Sequence, residues 1–251
     1  MVSSRGVVTR HMVQGTTVRE GKVASMLDVY AETEGHLGIV WLNREHRFNM
    51  LTPSYMREMK RGVESMNVDH VCNVIYMTPK KDQHFSIGTD FRTIAHMKKE
   101  DNYERIAEYL EDVVRTQTYF AKLNKPLLAA APGVSLNSGA ALLAATACPL
   151  MTETSTMAFN EVTFGFTPHS GASFYMSRMP GEFGTFMALT GLPINGIDAT
   201  HLKIASSVLK SSKGYQEHVS DVCNSLDTQT TGYEKFTGHP ERDLRRINTP
   251  W

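Results

Sequence analysis

The chain has 251 residues, 41% of them hydrophobic, enough for one large core or a core with a small appendage. Basic and acidic residues balance at 26 each, so no global basic field marks a nucleic-acid binder and no acidic excess marks a solvating tail. The three cysteines Cys72, Cys148 and Cys223 are far apart and form no C-x-x-C pair, which argues against a disulfide framework or a zinc site and for reduced, buried thiols.

The N-terminus carries Arg5 and Arg10, two serines and no acid before Glu20. It lacks the apolar segment of a secretory signal and is similar to part of a mitochondrial presequence; an ordinary tail is the other reading. No apolar run is long enough to span a bilayer.

Residues 37–42, Leu-Gly-Ile-Val-Trp-Leu, predict a buried strand. Thr52-Pro53 is a helix start, a cap residue followed by proline at the first helical position. Tyr55, Met56, Met59, Val63 and Met66 then follow at helical spacing. Val71–Met77 predicts the next strand, and strand, helix, strand implies a parallel βαβ unit. Residues 83–90 form a loop with one glycine, in which Asp90 reads as a turn or cap residue. A long helix is predicted over Asn102–Leu123, its stripe of Ile106, Tyr109, Leu110, Val113, Val114, Phe120 and Leu123 interrupted by Gln117. Leu127–Ala131 is a strand, Ser138–Ala147 a helix of small residues, and Met157–Phe159 a further strand ending at Glu161. Gly165, Pro168 and Gly171 mark a loop, and helix broken by Pro180-Gly181 and Gly191-Leu-Pro follows. Beyond Leu209 the chain turns polar, with a short helix expected over Tyr215–Leu226.

Five stretches in register carry a resemblance. They are Gly38–Arg44 with Phe48–Thr52, Phe85–Arg92, Asn124–Gly133, Ala158–Pro168 and Ala188–Gly191. Together they resemble the crotonase (enoyl-CoA hydratase/isomerase) superfamily, most closely its 3-hydroxyisobutyryl-CoA hydrolase branch. The resemblance covers roughly residues 35–205. It implies an α/β fold, a (ββα)n spiral with a helical C-terminal part, here with polar tails. We divide the chain into an N-terminal extension (1–30), a crotonase-like domain (31–209) and a C-terminal extension (210–251).

The resemblance also implies a site for a CoA thioester. Its two oxyanion-holding N–H groups fall on Ile87 and Ser138, the latter in the middle of a run that is all glycine in the family and is Asn137-Ser138-Gly139 here. Side-chain atoms at 87 and 138 are expected to close the space an acyl group needs. The first hydratase glutamate falls on Ala141. The hydrolase glutamate is matched by Glu161, and the hydrolase aspartate by His169. Glu161 reads either as a general base or nucleophile, or as a strand-end carboxylate bonded to backbone N–H groups; we expect the second. His169 reads either as a replacement acid/base or as a solvated loop residue, and again we expect the second. His84, His96 and His201 show no metal-ligand spacing, and no metal or cofactor is expected.

Two functions follow. One is a pseudoenzyme of the mitochondrial matrix, a structural subunit similar to hydrolase relatives in the small subunit of mitochondrial ribosomes. Its partners are other proteins of that complex, with rRNA reached through the tails and Arg242, Arg245 and Arg246. The other is an active CoA-thioester hydrolase using Glu161 and His169. No membrane partner is expected under either.

Overall fold

A computed structural model describes residues 27–81 and 84–209. The presequence-like N-terminus, the 215–226 helix and the basic C-terminal residues lie outside that range.

The elements run β1 (Val29–Glu34), β2 (Leu37–Leu42), α1 (Pro53–Val68), β3 (Val74–Pro79), β4 (His84–Ser86), α2 (Phe91–Lys99), α3 (Tyr103–Ala121), β5 (Leu127–Ala131), β6 (Val134–Leu136), α4 (Ser138–Ala144), β7 (Cys148–Thr152), β8 (Thr156–Ala158), α5 (Ala172–Met176), α6 (Phe183–Thr190), β9 (Ile194–Asn195), α7 (Gly196–His201) and β10 (Ser207–Leu209). Strands order as β1-β2-β3-β5-β7-β10 in a large sheet and β4-β6-β8-β9 in a small one. Three successive strand pairs, β3/β4, β5/β6 and β7/β8, each give their first strand to the large sheet and their second to the small one. The chain therefore winds as a spiral of ββα units, the α/β architecture the motifs imply. Parallel pairing of β2 with β3 across α1 confirms the predicted βαβ unit.

Local chemistry explains the helices. Thr52 caps α1 by accepting the Tyr55 N–H, with proline at the first helical position. Tyr55, Met56, Met59, Val63 and Met66 are all buried, as their spacing requires. At the other end of α1, Lys125 donates from Nζ to the carbonyls of Met66 and Asp69 at 2.8 and 2.5 Å, satisfying oxygens with no helical partner. Asp90 accepts from the N–H groups of Arg92 and Thr93, so it is the cap of α2.

Some boundaries differ from expectation. Residues 71–73 are not strand; Val71 is exposed, and Cys72 and Asn73 spend their N–H groups on Asp69 and His36 in the approach to β3. Val114 lies on the solvent side of α3. The α4 helix stops at Ala144, before strand β7, whose parallel ladder with β5 begins at Cys148.

Candidate functional site

The Asn137-Ser138-Gly139 turn joins β6 to α4. Asn137 has φ 52° and ψ −128°, a conformation that glycine adopts freely and other residues only under strain of about 1–3 kcal/mol. Gly139 survives for a packing reason. A Cβ there would lie 2.5 Å from the Ser86 carbonyl oxygen and 2.9 Å from the Ser86 Cβ and Oγ. Gly88 is its counterpart: with φ +82°, a Cβ there would meet the Leu136 carbonyl at 2.5 Å and the Ser138 nitrogen at 3.0 Å. The turn at 137–139 and the loop at 86–89 are thus pressed backbone to backbone.

The second loop is held from behind by buried polar groups. Asn49 donates to the His84 carbonyl at 2.9 Å, Ser86 Oγ donates to the Asn49 carbonyl at 2.7 Å, and the Gly88 N–H donates to Ser86 Oγ at 3.1 Å. Tyr109 of α3 accepts the Asp90 N–H and donates to the Leu51 carbonyl. Burial pushes the Tyr109 phenol well above its ordinary pKa. The Ile87 N–H points back into this scaffold and donates to the Phe48 carbonyl at 3.2 Å. An oxyanion donor has to aim at the reacting oxygen, and this amide is committed elsewhere.

Ser138 opens α4, so its N–H lacks an intrahelical acceptor. Its carbonyl accepts a 3.0 Å hydrogen bond from Gln117 Nε2. That bond accounts for the polar break in the apolar stripe of α3. The Ser138 hydroxyl is fully buried and contacts both Thr89 Oγ1 and His169 Nε2, the latter at 3.0 Å. Thr89 Oγ1 is also 3.0 Å from His169 Nε2.

The structure corrects both side-chain expectations for the acid/base positions. Glu161, in the 3-10 turn after β8, is fully buried, yet among the described residues neither carboxylate oxygen has a hydrogen-bond partner, backbone N–H groups included. Its close polar neighbour is His169 Nδ1, 3.2 Å from Oε1, a short contact off the line of a hydrogen bond. His169 is not solvated; its side chain is 21% exposed and turned inward. The reason is the loop. Left-handed Ser170 and Gly171, with Ala172 N–H bonded to the His169 carbonyl, curl the chain into α5. Phe91, whose ring lies 6.3 Å from the imidazole, packs beside it and against Phe164 and Phe166. A buried carboxylate without hydrogen bonds is costly, and the imidazole is the group placed to offset it.

Ala141 is buried within α4 and brings no functional group to the first glutamate position. Among the described residues no cluster of three metal-ligating side chains occurs, and no helix is long and apolar enough to cross a membrane.

The model of a known family, "Enoyl-CoA hydratase/isomerase", matches residues 37–243. The chain belongs to the enoyl-CoA hydratase/isomerase family. The match continues past Ala205, where the motifs run out. Among solved structures of the family, an enoyl-CoA hydratase from Rhodobacter sphaeroides superposes with a TM-score of 0.75 at 18% identity, covering 79% of this chain and 59% of that one. Among curated relatives, the mitochondrial 3-hydroxyisobutyryl-CoA hydrolase of Danio rerio is 26% identical over 186 residues, 74% of this chain and 48% of its own length. The small ribosomal subunit protein mS47 of Arabidopsis thaliana is 29% identical over 157 residues, 62% of this chain and 38% of its own length. The chain thus spans about half the length, or less, of these relatives.

As a member of this family, the chain brings Ser138, Glu161 and His169 to one point and adds Thr89 and Gln117, which sequence reasoning did not assign to the site. Gln117 had a signal, a polar residue inside an apolar stripe. Thr89 had none. Ile87 lies in the adjoining loop with its N–H directed away. Chemically, the cluster can hold a proton between a hydroxyl, an imidazole and a carboxylate.

Proposed function

We propose that the chain is a catalytically degenerate crotonase-fold protein that serves as a structural subunit of a large mitochondrial assembly, the small subunit of the mitochondrial ribosome. The observation that carries the loss of thioester chemistry is the Ile87 N–H donated to the Phe48 carbonyl. Each oxyanion donor is worth on the order of 3 kcal/mol of barrier, and the amide that the resemblance assigns as one of the two, Ile87, is bonded inside the fold. The second position carries a side chain whose hydroxyl is bonded to His169 where the family keeps bare backbone. With Ala141 at the first acid position, the hydratase pair is absent as well.

Likeness to proteins named mS47 in Neurospora crassa and Arabidopsis thaliana supports the assembly. The matrix is where such a subunit works, and its partners are neighbouring ribosomal proteins. Arg242, Arg245 and Arg246 supply local positive charge for rRNA phosphates that the neutral whole-chain balance does not. Sedimentation of tagged chain from lysed mitochondria tests this. Co-migration with the small ribosomal subunit is the expected result; migration as free protein overturns the reading.

A second reading, a CoA-thioester hydrolase, is favoured by one contact, the 3.2 Å approach of His169 to Glu161. Release of CoA that disappears in Glu161→Ala would establish it in place of the first.

A further inference from the structure

The buried cluster has a direction. His169 Nε2 has one lone pair when Nδ1 carries the proton, and two hydroxyls lie 3.0 Å from it. A consistent assignment runs Thr89 O–H to Ser138 Oγ, Ser138 O–H to His169 Nε2, and His169 Nδ1–H toward Glu161 Oε1. The imidazole thus faces a hydroxyl with one nitrogen and a carboxylate with the other. Activating a serine by an oriented base needs this order. Glu161 is fully buried with no hydrogen-bond partner among the described residues, and its Oε1 lies 3.2 Å from His169 Nδ1. The off-line Nδ1 contact is the kind of misalignment that tightens only when a ligand binds. The serine itself follows a strand and a strained Asn137 and is the first residue of a helix.

We propose that Ser138 is a nucleophilic hydroxyl, with His169 as its general base and Glu161 positioning the imidazole, able to take an acyl group from a small uncharged ester or a dialkylphosphoryl group from a small uncharged phosphorofluoridate. This goes beyond the structural-subunit reading and does not depend on it, because no CoA thioester is involved. Ser138 Oγ bonds to the ester carbonyl carbon while its proton passes to His169 Nε2. The ester C–O bond breaks and His169 returns the proton to the departing alcohol. Water, deprotonated by the same nitrogen, then releases the carboxylic acid and the free serine; no oxidation is involved. Because Ser138 is fully buried, only a small group can reach it.

The test uses the full chain and diisopropyl fluorophosphate. Attack forms the Oγ–P bond, expels fluoride and leaves the Oγ proton on His169. Intact-mass and peptide mapping read the adduct and its rate. The expected result is one adduct, on Ser138, absent in Ser138→Ala. In His169→Gln and Glu161→Gln labelling slows by about 100-fold or more while the melting curve stays cooperative, the range a positioned base supplies. Should His169→Gln fail to fold, Glu161→Gln and its partial rescue by Glu161→Asp carry the same decision. No adduct, an adduct on Thr89 or elsewhere, or equal rates in the wild type and Glu161→Gln overturns the proposal.

Discussion

Replacing Gly139 by alanine tests whether the two loops of the site are pressed together as described. On an exposed helix this change stabilises by about 1 kcal/mol, since alanine is the better helix former. Here the new methyl would stand 2.5 Å from the Ser86 carbonyl oxygen. That neighbour is backbone, and its loop is pinned by Asn49, Ser86 Oγ and the Leu51 N–H bonded to the Gly88 carbonyl. It cannot swing aside as a side chain would. Overpacking of this sort costs about 1–3 kcal/mol, and a rigid neighbour places the cost at the upper end. Subtracting the helix gain leaves a net loss of about 2 kcal/mol. For a chain of this size each kcal/mol lowers the melting temperature by about 2–4 °C, so the variant should melt about 4–8 °C below the wild type. Differential scanning calorimetry measures it. A variant that melts at or above the wild type would refute the close approach and the site geometry built on it.

Three further outcomes follow from the same structure. Asn137→Gly should raise stability by about 1 kcal/mol, because relief of the φ 52° strain exceeds the entropy glycine adds to the unfolded chain; a lower urea midpoint would contradict it. Lys125→Met should cost about 2 kcal/mol by removing two charge-assisted bonds to the end of α1, and an unchanged melting temperature would count against that role. Burial raises the Tyr55 and Tyr109 phenols, so the folded chain keeps protons the unfolded chain gives up. Their contribution is complete below about pH 10, the ordinary phenol value, and stability falls as pH rises beyond it; urea midpoints that hold steady or climb across that range would refute the burial effect.

The fold was legible where periodicity was strong. The α1 face, the 37–42 and 127–131 strands and the caps at Thr52 and Asp90 all sit where spacing and cap chemistry put them. The short strands β6, β7, β9 and β10 were not legible, since segments such as Cys148-Pro-Leu-Met-Thr show no alternation and contain proline. They exist because neighbouring strands complete their ladders. At the site, the identities of Ser138, Glu161 and His169 came from motif register. Their mutual contact did not, because His169 lies 31 residues from Ser138 and its direction is set by a left-handed turn at Ser170-Gly171. A histidine after proline in a loop reads as solvated until that turn is known. Likewise, nothing in the residue types near Ile87 foretold that its N–H would be taken by Phe48, which depends on the loop at 44–50 folding beneath it.

Under the proposed function, this family member has lost thioester chemistry. Titration of the purified chain with a short acyl-CoA in a calorimeter, with free CoA assayed in the same sample, addresses it most directly. Neither binding heat nor CoA release is expected. Micromolar binding accompanied by steady CoA release, abolished by Glu161→Ala, would contradict it.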